Sequence, residues 1–200
     1  KVRSTLLAFL MIILFMVSLS VLLLELTLTR LFSIILWYDY AFMVISVAFF
    51  FFFFGSLVVH IIKNKLNKEN LPSRILQSTI AFAITIPVVL FVMGHFVPSN
   101  TSFIYVFYLS SSIPFFFAGI TVAMIYLSMP REISKLYFID LLGAGAAALV
   151  LDPIIQVLGA ESAMLSISLL VIGPSIAAAL LLVRRRNNDE SITSNKTDGA

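Results

Sequence analysis

Cysteine is absent from this 200-residue chain, which excludes a disulfide framework, a thiolate nucleophile and any metal site built on sulfur. Charge is scarce as well. Only 12% of the residues are Asp, Glu, Lys or Arg, about half of what clothes an ordinary soluble domain. A paired Ser/His/Asp set, a His-x-x-x-His spacing and a phosphate loop are all missing, as is a polar segment large enough to fold into a soluble catalytic domain. His60 and His95 fall on opposite sides in depth and cannot share a metal. No cofactor is expected.

What remains is apolar. Hydrophobic residues make up 60% of the chain, 19 of the residues are Phe, and the mean hydropathy is +1.08. The few charges cluster between long apolar runs, the pattern of a polytopic membrane protein. A hydrocarbon core of about 30 Å needs about 20 apolar residues at about 1.5 Å each. Six segments meet that requirement: Thr5–Leu24, with helix continuing through Glu25 and Arg30 towards Trp37; Tyr40–Ile62; Ile75–Val97; Phe103–Met129; Ser134–Glu161; and Ser162–Val183. The expectation is an all-α bundle of six transmembrane helices over residues 1–183. A basic stop and a polar, disordered cytoplasmic tail over 184–200 should follow. Kinks rather than breaks are expected at Pro87, Pro114 and Gly173-Pro174, because membrane neighbours can satisfy freed carbonyls. The chain starts at Lys1 rather than Met, as a fragment or processed product would. Its first apolar run is too long for a signal peptide.

Charge sets the orientation. With the N-terminus inside, the cytoplasmic segments hold twelve of the thirteen cations, and Arg30 stands alone outside. That asymmetry predicts both ends in the cytoplasm. Trp37, Tyr38, Tyr40, Tyr105 and Tyr108 then fall near the outer interface, where amphipathic rings prefer to lie. The net charge of +3 reflects this topology and attraction to anionic lipid; nucleic acid is not an expected partner. Tight loops and the lack of Cys point to a prokaryotic inner membrane.

Carboxylates inside spans are the candidate sites, since each costs about 2.5–3.5 kcal/mol to insert. Asp152 lies about 27 Å along the fifth helix, and Glu25 is at a similar depth on the first. With Asp39 and Glu161 they form an outer acidic excess that faces Arg30 alone. Two readings stay open: a vestibule for a metal ion, a proton or a polyamine, or an ion pair between Arg30 and Glu25 or Asp152. Glu25 and Arg30, roughly 140° apart around one helix, are poor partners for each other. Asp140 sits about one turn inside the cytoplasmic end of the fifth helix, near Tyr137 and within reach of Lys135 or Arg131. A gate or docking role there competes with a depth-setting ion pair. Gly143, Gly145 and Ala148, with Ala147 between the last two, formally fit a dinucleotide fingerprint, but no strand or βαβ unit surrounds them. Small-residue helix packing is the better reading. Ser110–Ser112 are placed to bond carbonyls freed by Pro114 or to line a polar cavity, and the six-Phe run Phe49–Phe54 reads as lipid-facing and packing surface.

Four segments together resemble the membrane region of spermidine synthase-like proteins: ELTLTRLFS at Glu25–Ser33, YAFMVIS at Tyr40–Ser46, IPFFFAG at Ile113–Gly119 and LYFIDLLGAG at Leu136–Gly145. They occur in the family's order, and the resemblance spans roughly residues 5 to 183. It differs at Asp39, where the family usually has His, at Phe49–Phe54, where it continues in glycines, and at Ala147, where a Gly is usual. The resemblance implies a membrane bundle anchoring or regulating a cytoplasmic aminopropyltransferase domain, which moves an aminopropyl group from decarboxylated S-adenosylmethionine to putrescine. These residues hold no such domain. Two alternatives stand beside it: a small cation or polyamine transporter using Glu25, Arg30, Asp39, Asp140 and Asp152, and a structural subunit packed among other membrane proteins.

Overall fold

The computed structural model describes residues 2–35, 38–66, 70–95 and 101–197. Side chains are described for 7–34, 42–66, 70–95, 104–173 and 175–176. All secondary structure among these residues is helical. The described residues form five α-helices: α1 (Val2–Ile35), α2 (Tyr38–Ile62), α3 (Leu71–His95), α4 (Thr101–Ser128) and α5 (Ile133–Thr197). Short 3₁₀ turns at Lys63–Lys65 and Pro130–Glu132 follow α2 and precede α5. Each of the five contains a stretch long and apolar enough to cross a membrane, as a multi-pass protein requires.

Two of the differences from the segments drawn by hydropathy have a local cause. α3 starts at Leu71 rather than Ile75, because Pro72 suits the first turn, where its missing N–H is no loss. The amide of Arg74 bonds the Asn70 carbonyl at 3.0 Å and closes that turn. α5 is 65 residues long and interrupted at Gly159, whose φ of 78° and ψ of 165° leave helical space. That combination is nearly exclusive to glycine, because any Cβ would clash with the backbone. The interruption lies two residues before the Glu161 boundary read from hydropathy. Past it, helix runs through Arg184–Arg186 to Thr197, over the stretch whose composition reads as a disordered tail. Extending an existing helix avoids the nucleation cost.

The limb of α5 before Gly159 lies along α1. The Ser18 hydroxyl donates to Asp140, and twelve residues on, Arg30 pairs with Asp152; both pairs are 122 positions apart. A constant offset means parallel helices in register, here over about 18 Å. Gly143 makes the approach close: a Cβ there would sit 2.6 Å from the Phe15 carbonyl oxygen and 3.1 Å from the Ser18 Cβ. Ala147 is fully buried on the same face. Gly145 plays no part in that packing, because it points away and a Cβ would meet nothing within 4 Å.

After Gly159 the second limb packs on α3. It buries Ala163, Met164, Ile167, Ser168 and Val171, a three- and four-residue spacing that keeps one face inward. α3 buries Leu71, Ile75, Phe82, Ala83, Ile86, Val89 and Met93 at the same kind of spacing. Helix continues through Pro87 and Pro114. At Pro87 the cost is offset from outside. The ring removes the amide that would bond the Ala83 carbonyl, and Ser168 donates its hydroxyl to that oxygen at 2.8 Å.

α2 and α4 touch backbone to backbone. A Cβ on Gly55 would collide with the Phe116 carbonyl, and one on Gly119 with the Phe52 carbonyl. Ser56 adds a hydroxyl 3.1 Å from the Gly119 carbonyl oxygen. The phenylalanine run next to this contact divides by face. Phe49, Phe50, Phe53 and Phe54 are exposed, while Phe51 and Phe52 are half-buried against the core.

Candidate functional site

α1, α2, α4 and the first limb of α5 line a partly open cavity of about 140 Å³. α1 contributes Ser18, Val21, Leu22 and Glu25, which share one face because they recur at three- and four-residue intervals. α2 adds Ala48, Phe49 and Phe52; α4 adds Phe115 and Val122; α5 adds Asp140 and Ala144. Four helices thus build a pocket in which nearly every wall atom is hydrocarbon and two side chains are carboxylates.

The two acids are held differently. Asp140 accepts a hydrogen bond from the Ser18 hydroxyl on one oxygen and from the Tyr126 hydroxyl, at 3.0 Å, on the other. Each oxygen of that carboxylate therefore has a donor from a neighbouring helix. Lys135, one of the two cations expected near Asp140, bonds Glu132 instead, at 2.8 Å. Glu25 is only 6% exposed. Among the described residues no group donates to its carboxylate; only its backbone carbonyl is bonded, by Thr29 at 2.8 Å. Ser18 and Glu25 are seven residues apart on α1, so the acids mark points separated by about 10 Å along the cavity.

The other predicted site residues lie apart. Arg30 pairs with Asp152 on the outside of the bundle, with side chains 46% and 61% exposed. Of the two partners open to Arg30, the structure brings up Asp152, while Glu25 turns into the cavity. Glu161 is exposed beyond Gly159, and the Asp39 side chain lies outside the described residues. Ser110 and Ser112 bond the Phe107 and Leu109 carbonyls at 3.0 and 2.6 Å. Neither reaches the Ser110 carbonyl that Pro114 frees, because a serine bonds most easily one turn back along its own helix. Ser111 and Ser20 are buried without a hydroxyl partner among the described residues.

Sequence reasoning missed three elements of this region. Ser18 as a partner of Asp140 requires the parallel α1–α5 register, and Tyr126 requires the approach of α4 to α5; composition carries neither. The Gly55–Gly119 contact sets the distance between α2 and α4, two of the cavity's walls; its only trace in the sequence is one small residue beside each Phe-rich run. No group of three or more His, Asp or Glu among the described residues is arranged to hold a metal ion. No family model, curated protein or solved structure matches the chain.

Proposed function

We propose that this chain is a six-span membrane domain with both ends in the cytoplasm, which anchors or regulates polyamine aminopropyl transfer in a spermidine synthase-like protein. The span count is carried by one observation: the apolar stretch Pro130–Gly173 is 44 residues long and contains the Gly159 interruption. At 1.5 Å per residue it measures about 66 Å, roughly twice a hydrocarbon core. Two crossings joined at Gly159 accommodate it. The parallel α1 and first α5 limb fit spans one and five running in the same direction. Twelve cations on one side and Arg30 on the other favour the N-in, C-in orientation in an inner membrane. The link to polyamines rests on the four segments that resemble the family. Its test is fractionation of cells that make the chain from its own locus. Aminopropyl transfer to putrescine should sediment with membranes and move to the soluble fraction when the chain is deleted. Activity that ignores the deletion would reject the anchoring role.

A second reading, transport of a small cation, is favoured by the buried and unpartnered Glu25. Vesicles carrying the protein should take up radiolabelled putrescine, and Glu25→Gln should abolish that uptake. Uptake equal in the two proteins would remove this reading.

A further inference from the structure

Glu25 is the one acidic side chain that is both buried and without a donor among the described residues. A carboxylate held that way within a spanning helix is expensive. Among the described residues no cation pairs with it: Arg30 is committed to Asp152, and Lys135 to Glu132. What it offers instead is space. Glu25 forms part of the wall of the 140 Å³ cavity, beside Leu22, Phe52 and Phe115.

The lining selects the kind of guest. A hard inorganic cation takes about six or more oxygen ligands, and the two carboxylates of this cavity supply four oxygens between them, those of Asp140 each already accepting from a hydroxyl. An ammonium needs fewer acceptors, and the aromatic faces of Phe49, Phe52 and Phe115 can attract it as well. The hydrocarbon walls suit an apolar body behind that head. An engineered protein cavity of about 150 Å³ holds benzene, so a body of about four to six carbons fits here. Entry is available beside Phe49, which lines the cavity and is exposed on the outside of the bundle.

We infer that the cavity between α1, α2, α4 and α5 binds a small alkylammonium ion, its head on Glu25 and its chain against Leu22, Phe52 and Phe115. Asp140, fixed by two hydroxyls, closes the far end and is not a ligand. The inference rests on the membrane-domain reading but needs neither aminopropyl transfer nor transport.

The test is calorimetric titration of the full chain in lipid nanodiscs at pH 7 with n-butylammonium, and with 1-butanol as its neutral counterpart. Butylammonium should bind saturably and at least tenfold more weakly to Glu25→Gln. Ala144→Leu, which fills the cavity but leaves the acid in place, should weaken it as much. Butanol should not saturate. No saturation in the wild type, equal affinity in either variant, or equal binding of butanol would overturn the inference. So would displacement of butylammonium by equimolar sodium, which would assign the site to an inorganic ion. Failed fractionation with intact binding would reject the anchor alone; failed binding with normal fractionation would reject the site alone.

Discussion

Ser168, on the second limb of α5, donates its hydroxyl at 2.8 Å to the Ala83 carbonyl, which Pro87 deprives of its helical amide. The bond repairs α3 and fastens it to α5. Removing the serine leaves a buried carbonyl without a donor, a loss of about 0.6–1.7 kcal/mol for an interhelical bond in a membrane. Ser168→Ala should lower the thermal midpoint in detergent. In a Pro87→Ala background the restored amide takes over the carbonyl, and Ser168→Ala should then cost much less. Equal costs in both backgrounds would mean the serine is not compensating for the proline.

Gly55 and Gly119 make a different kind of demand, one of space. Any side chain at either position meets a carbonyl of the opposite helix. Gly55→Leu and Gly119→Leu should each destabilise by about 1–3 kcal/mol or more, the usual cost of overpacking. Gly145→Leu, with nothing within 4 Å of its Cβ position, is the control and should be close to neutral. Thermal unfolding of the three purified variants separates packed from unpacked glycines.

These two contacts also mark how far the sequence could be read. Hydropathy found the apolar segments, and the exposed Phe49, Phe50, Phe53 and Phe54 are where a uniform aromatic run belongs. Asp152 was one of two partners open to Arg30, and the α1–α5 register singles it out. Hydropathy does not say which helices are neighbours. The α2–α4 contact, the joining of Asp140 to Ser18 and Tyr126, and the turn of Glu25 into a cavity all depend on that, so none was legible. Nor was the inertness of Gly145, since a stripe of small residues does not reveal which of them faces a partner.

Gly159 sets the return of α5 towards α3. Its φ and ψ lie in a region nearly closed to other residues, where a Cβ costs on the order of 1–3 kcal/mol. Gly159→Ala should therefore weaken the seating of the second limb. A short bifunctional crosslinker between Ala83→Cys and Ser168→Cys should react in the parent and much less with Gly159→Ala added. Unchanged crosslinking would show that the limb docks without this turn.

Asp140 holds α1, α4 and α5 together through two hydroxyls. Asp140→Asn keeps an acceptor and should be tolerated. Asp140→Leu strands Ser18 and Tyr126 and should cost about 1–3 kcal/mol. Ser18→Ala and Tyr126→Phe made in the Leu background should restore part of that loss, because the stranded hydroxyls are then gone. Denaturant unfolding of the three variants reads the difference, and no recovery in the triple variant would argue against the network.

The proposed topology, six crossings with both ends inside, would account together for the distribution of the charges and for the Gly159 turn within a 44-residue apolar stretch. The native chain has no cysteine, so single cysteines at Asn70, Glu161 and Ser191 can be probed in intact cells with a membrane-impermeant maleimide. Glu161→Cys should label in intact cells, and Asn70→Cys and Ser191→Cys only after lysis. Labelling of Ser191→Cys from outside, with Glu161→Cys protected, would contradict the six-span topology.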